Sequence, residues 1–260
     1  MATEKETYLT LIVLDFETGG LSCQECAATQ ISMHAVRLDT FETVDTLNLY
    51  IKPYVSKETE IKPIKKVVKT KYEIEEEEEE NKEHLMTYDQ EALNVSGITM
   101  DMLYNRGEEL KEVCDKILSF IKDNRKTKGM FNKVILGGQN ILFDISFLQQ
   151  IMTYTGKYDK LSSYVDGAYD YFGNFQPYYI DTILLSKLTY AADKSISSHK
   201  LEVLAERLGI DMDDAHDADA DVTATQAVIQ AFASRLRNNQ GKATVTSSQK
   251  KEKMRDHFKI

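Results

Sequence analysis

The chain is expected to fold as an α/β protein, a mixed β-sheet flanked by helices. Three observations predict this class. Residues 8–52 hold three β-like segments in succession, residues 110–236 alternate helical periodicity with short apolar strands, and no internal repeat interrupts that order.

The elements follow in order. Tyr8–Asp15 is a continuous apolar run rich in β-branched residues, the pattern of a buried central strand. Gln30–Leu38 alternates Ile31, Met33 and Ala35 against Ser32, His34 and Val36, and reads as a second strand. Thr43–Lys52 alternates as well and completes an antiparallel meander. Residues 55–86 differ in kind: Lys62, Lys65, Lys66, Lys69 and Lys71 precede the unbroken acidic run Glu75–Glu80. This stretch reads as a charged insertion, a hairpin around Ile61–Ile74 and then a flexible acidic loop. Leu110, Val113, Cys114, Ile117, Phe120 and Ile121 follow the spacing of an amphipathic helix. Lys133–Gly137 predicts a buried strand, Asp144–Thr155 a helix, and Ile180–Leu185 a strand end running into a helix. Leu201–Leu208 predicts a short helix ended by Gly209, and Ala220–Leu236 the last helix, with Asp217 or Asp219 as its N-cap. The tail, 237–260, is basic and polar and is expected to be mobile.

Composition narrows the function. The chain has 260 residues, of which 42% are hydrophobic, enough for one large core without staples. Three cysteines, an odd number, exclude a disulfide scaffold and suggest a reducing, cytoplasmic setting. No apolar run approaches the roughly 18 residues that span a bilayer, and the charged first residues lack signal-peptide architecture, so no membrane partner is expected. The net charge of −10 argues against broad, sequence-blind binding to polyanions.

Four segments carry chemistry. Asp15 and Glu17 end the first strand two residues apart, and such residues point to one face. Side by side, two carboxylates repel unless cations share them, and hard divalent ions with oxygen ligands suit the pair. Alone, the pattern also describes a solvated strand end. Thr18-Gly19-Gly20 follows at once, backbone that a ligand can approach closely. Asp144, with Asn140 one turn earlier, opens a helix after the strand at Gly137, a position that also suits any acid through the helix dipole. His216 stands in an acid-rich helix entrance with Asp217, Asp219 and Asp221. Histidine is matched to proton transfer near neutral pH, although a lone histidine there is also an ordinary surface residue. Cys23-x-x-Cys26 lacks the further ligands of a structural zinc site and reads as a plain thiol pair. The aromatics between Tyr164 and Tyr179 read as packing for a long loop, with base stacking as the other reading.

Taken together, Asp15-Phe16-Glu17-Thr18-Gly19-Gly20, then Asn140-x-x-Phe143-Asp144, then His216-x-x-x-x-Asp221 resemble the three motifs of the DnaQ-like (DEDDh) 3′–5′ exonucleases of the ribonuclease H-like superfamily. Ala92–Thr99, Asp181-Thr182 and His199–Gly209 echo the intervening segments. The resemblance covers roughly residues 8–236 apart from the insertion, and makes 1–236 an exonuclease domain. It implies a five-stranded mixed sheet and two Mg²⁺ or Mn²⁺ ions held by Asp15, Glu17, Asp144 and Asp221. It also implies His216 as general base, with Thr18, Gly19, Gly97, Ile98, Asn140 and Phe143 lining the pocket for a terminal nucleotide. The expected partner is the 3′ end of single-stranded DNA, and a proofreading role would add a DNA polymerase subunit. The alternatives are an RNA-trimming exoribonuclease and a non-catalytic, polymerase-associated binding subunit. One departure stands out. The family commonly has His-Asn in the second motif, and this chain has Gln139-Asn140. Glutamine hydrogen-bonds but does not titrate.

Overall fold

The computed structural model describes residues 7–56, 85–126, 133–210 and 218–238. The hairpin expected at Ile61–Ile74, the acidic run, His216, Asp217 and residues 239–260 of the basic tail lie outside them. The described elements run β1 (Thr10–Thr18), β2 (Ala28–Arg37), β3 (Thr43–Tyr50), α1 (Gln90–Ser96), α2 (Met100–Arg106), α3 (Leu110–Asp123), β4 (Ile135–Gly138), α4 (Leu142–Tyr154), α5 (Tyr158–Ser162), β5 (Gly167–Tyr169), β6 (Phe175–Pro177), β7 (Tyr179–Asp181), α6 (Thr182–Thr189), α7 (Leu201–Leu208) and α8 (Ala218–Asn238).

The main sheet has five strands in the order β3-β2-β1-β4-β7. β1, β2 and β3 form the expected antiparallel meander, and β4 and β7 run parallel to β1. This is the mixed α/β sheet that the order of the elements predicts. β1 sits in the middle because its side chains are apolar on both faces. Ile12, Leu14 and Phe16 pack in the larger core with residues of α3 and α4, while Leu11 and Val13 pack on the other face with Val222 and Ile229 of α8. Asp15 and Glu17 continue the second of these faces, toward α8.

β2 departs from its alternating pattern. Ser32 and His34, which the sequence sets on a polar face, are buried. The cause is α8, which packs across that face of β1 and β2. α8 also begins earlier than expected, at Ala218, so Asp219 lies within its first turn and is not its N-cap. At the charged insertion, Val55 pairs antiparallel with Leu85, so the chain that leaves after Ser56 returns beside its point of departure.

The aromatic stretch forms a separate two-stranded hairpin of β5 and β6. Phe175 is buried, but Tyr169, Phe172 and Tyr178 are exposed, and Tyr171 at the turn is 97% exposed. Loop packing therefore accounts for only part of the cluster. Gly209 closes α7 in the left-handed conformation at φ 70°, as the sequence predicts. No helix among the described residues is long and apolar enough to cross a membrane.

Candidate active site

Strand β1 delivers Asp15 and Glu17 to one edge of the sheet, and the first turn of α8 delivers Asp221. One carboxylate oxygen from each lies within 4.8 Å of the other two. Asp144 is added from α4. It is buried, and its Oδ1 accepts the backbone N–H of Phe16 at 3.0 Å, which fixes the start of α4 against the end of β1.

The electrostatics are those of a crowded anionic site. Burial pushes the Asp15 carboxyl well above the usual carboxylate range, and the charges of Asp144, Glu17 and Asp221 push it further. Asp144 is also raised, first by burial and then by Glu17 and Asp181, although the Phe16 N–H opposes the shift. Three carboxylates held this close, with the charge of Asp144 acting on Asp15, are suited to cations that share their oxygens. The donors of the cluster are all oxygen, which suits hard divalent ions, and neither Cys23 nor Cys26 belongs to it. The residues present therefore fit the divalent ions that the motifs imply.

A cleft of about 700 Å³ opens beside Glu17. Thr18, Gly20 and Leu21 form one wall, and Asp89 to Ala92 with Val95 of α1 form the other. Gly19 is locked between the walls: its N–H donates to Ala27 O, and its carbonyl accepts from Asp89 N, both at 2.7 Å. A Cβ at Gly19 would lie 2.6 Å from the carbonyl oxygen of Thr87, so only glycine fits.

The remaining sequence-read positions are less uniform. Thr18 lines the cleft and donates its hydroxyl to Gly20 O at 2.8 Å. Gly97 is the left-handed C-cap of α1 at φ 67°. Ile98 is 3% exposed and packs with Leu93 and Leu103, away from the cleft lining. Phe143 packs on Phe147 with ring centroids 5.0 Å apart. Asn140 takes the left-handed conformation, φ 53°, and its carbonyl accepts from Phe143 N at 2.9 Å, turning the chain from β4 into α4.

Gln139, at the point where the motif departs from its family, is a structural tie. Its amide donates to His199 O at 2.9 Å, and its Oε1 accepts from the Thr182 hydroxyl. Asp181 was not among the sequence-read site residues. It caps α6 through Ile183 N at 2.7 Å and accepts from Ile141 N at 3.2 Å, so it binds the start of α4 to the end of β7. Its only sequence signal is the strand-to-helix switch at Asp181-Thr182. The cleft wall formed by α1 had no periodicity to announce it.

Comparison with known proteins agrees with this fold. The family model described as Exonuclease (RNase_T) matches residues 66–229, more than half of the chain. Asp144, His216 and Asp221 fall inside that span, and Asp15 and Glu17 precede it. No curated protein matches the chain. Among solved structures, Escherichia coli exonuclease I in complex with a dT13 oligonucleotide is 20% identical, with a TM-score of 0.61 over 88% of this chain and 42% of that one. The zinc-bound form of the E. coli enzyme with single-stranded DNA is 20% identical, with a TM-score of 0.62 over 89% and 42%. A moderately thermophilic exonuclease I from Methylocaldum szegediense is 22% identical, with a TM-score of 0.58 over 89% and 41%. The chain thus spans less than half the length of these structures, and at such identities they establish the fold. The family match and the cluster of carboxylates lead to one conclusion: the chain belongs to the exonuclease family, the DnaQ-like 3′–5′ exonucleases whose motifs its sequence resembles.

Proposed function

We propose that the chain removes nucleoside monophosphates, one at a time, from the 3′ end of single-stranded DNA. The observation that carries this reading is the meeting of Asp15, Glu17 and Asp221 within 4.8 Å, beside buried Asp144 and at the mouth of an open cleft. The similarity to exonuclease I bound to oligonucleotides supports the choice of single-stranded DNA.

Asp15, Glu17, Asp144 and Asp221 would hold Mg²⁺ or Mn²⁺. Bound there, a pair of such ions stabilises the charge that develops on the attacking and leaving oxygens of a phosphodiester. The protein's own groups do the rest. Thr18 seats the terminal nucleotide in the cleft, Gly19 holds the two walls together through its engaged backbone groups, and Asn140 and Phe143 of the second motif complete the pocket. Gly97 and Ile98 act from behind α1, by shaping that wall. His216 accepts the proton of the attacking water, and the 3′ oxygen of the preceding nucleotide leaves. The net charge of −10 is compatible with an enzyme that grips only a few terminal nucleotides.

The test is a time course on 3′- and 5′-labelled oligonucleotides of both sugars, with Mg²⁺, with Mn²⁺ and with chelator. The expected result is metal-dependent release of mononucleotides from the 3′ end of DNA. Faster degradation of the matched RNA would replace the DNA assignment with an exoribonuclease. Absence of any metal-dependent release would leave a binding subunit.

A further inference from the structure

The first turn of α8 carries two described acids, Asp219 and Asp221, and only Asp221 joins the carboxylate cluster. Access does not separate them. The Asp219 side chain is 47% exposed, open enough to meet a cation. Direction does. Successive helical residues turn by about 100°, so positions two apart face different ways, and rotation of α8 about its axis sets which acid faces Asp15 and Glu17.

Strand β2 meets α8 on the Asp219 side. Asp219 Oδ1 accepts from the Ser32 hydroxyl at 2.9 Å and lies 3.1 Å from His34 Nε2. The other ring nitrogen, Nδ1, lies 3.2 Å from Gln226 Oε1. Asp219 and Gln226 are seven residues apart, two helical turns along one stripe of α8. A single imidazole therefore lies against the helix at two points on the same face, and a neutral ring, with one N–H, donates to one of these two oxygens. The orientation of the Gln226 amide is fixed in turn, because its Nε2 donates to Phe41 O at 3.1 Å and reaches Thr43 Oγ1 at 2.9 Å. His34 is 6% exposed. Its β2 neighbour Ser32 stands directly opposite Asp15 in the ladder, which places this grip next to the cluster.

We propose that His34 is a positioning residue: with Ser32 it holds Asp219 on β2, fixes the rotation of α8, and so selects Asp221 as the acid that completes the ion site. The proposal rests on the cluster holding divalent cations, as inferred above. His34 touches no reacting group. It acts through the helix, as supporting hydrogen bonds around metal ligands commonly do, and their removal typically weakens metal binding about 10–100-fold.

The test is Mn²⁺ binding to the full chain by calorimetry, with thermal denaturation alongside. His34→Ala should weaken Mn²⁺ binding about tenfold or more. His34→Gln, which keeps a donor toward Asp219, should restore most of it. In an Asp221→Ala background, His34→Ala should cause no further loss, because the residue through which it acts is gone. Unchanged Mn²⁺ affinity with a lowered melting temperature would reduce His34 to a packing residue and overturn the proposal. Equal losses in both backgrounds would also overturn it. Should His34→Ala not fold, Ser32→Ala removes the other donor to the same oxygen, and unchanged Mn²⁺ affinity there rejects the selection. If the unsubstituted chain binds Mn²⁺ but releases no nucleotides, the exonuclease reading fails while the role of His34 is still decided by the variants. If it binds no Mn²⁺, both fall.

Discussion

Asp144 Oδ1 accepts the backbone N–H of Phe16 at 3.0 Å, joining two positions 128 residues apart. Phe16 lies between Asp15 and Glu17, so this one bond sets the third acidic position against the first two. It also places a buried carboxylate where neighbouring charges resist its ionisation.

Asp144→Asn separates those two effects. The amide oxygen can still accept from Phe16, so the fold should persist. Loss of a buried, repelled charge should raise the melting temperature of the metal-free protein at neutral pH by about 2–4 °C, the shift that ~1 kcal/mol gives in a chain of this size. Nucleotide release should fall to background, because an amide is a poor ligand for a hard cation. Denaturation scans and a gel assay on the same preparation check both outcomes, and retained activity would remove Asp144 from the ion site.

The stability of the metal-free protein should depend on pH through the same group of acids. Asp15 and Asp144 both have folded-state pKa values raised by burial and by their neighbours. Their contribution is fully present below the ordinary carboxylate range and is lost as pH rises through the elevated folded values. Cations should offset that loss only where the acids are ionised. The increase in melting temperature on adding Mn²⁺ should therefore be larger at about pH 7.5 than at about pH 5. Equal increments at the two pH values would show that Mn²⁺ does not act through these carboxylates.

Gly19→Ala tests the cleft without touching an acid. The added methyl would meet Thr87 O at 2.6 Å, a backbone atom that has no flexible side chain to yield. The backbone must shift, at a cost of about 1–3 kcal/mol. The wall formed by Asp89 and α1 should move with it and weaken oligonucleotide binding. Fluorescence anisotropy with a labelled oligonucleotide reads this directly, and unaltered affinity would place the substrate elsewhere.

His216→Ala should leave the melting temperature and Mn²⁺ affinity near those of the unsubstituted chain. Its rate of nucleotide release should fall about 10²–10⁴-fold, the usual contribution of a positioned general base. Release at the full rate would mean that the attacking water loses its proton to another group.

Much of the architecture was legible because its signals are local. The apolar run from Leu9 to Leu14 marks a strand buried on both faces, and Leu110, Val113, Cys114, Ile117 and Ile121 mark one side of α3, all but Leu110 of them fully buried. Asp15 and Glu17 share a face because side chains alternate along any strand, and Gly209 closes α7 because glycine takes a positive φ without strain. These regularities are set within a few residues and need no knowledge of the rest of the chain.

Only the tertiary structure decided how those parts face one another. Burial of Ser32 and His34, the rotation of α8 that separates Asp219 from Asp221, the exposure of Tyr171, and the cleft wall supplied by α1 all depend on packing between distant segments. Ser32 and Asp219 are 187 positions apart. No period within either segment encodes the other, so their hydrogen bond exists only once β1, β2 and α8 have closed over a common core.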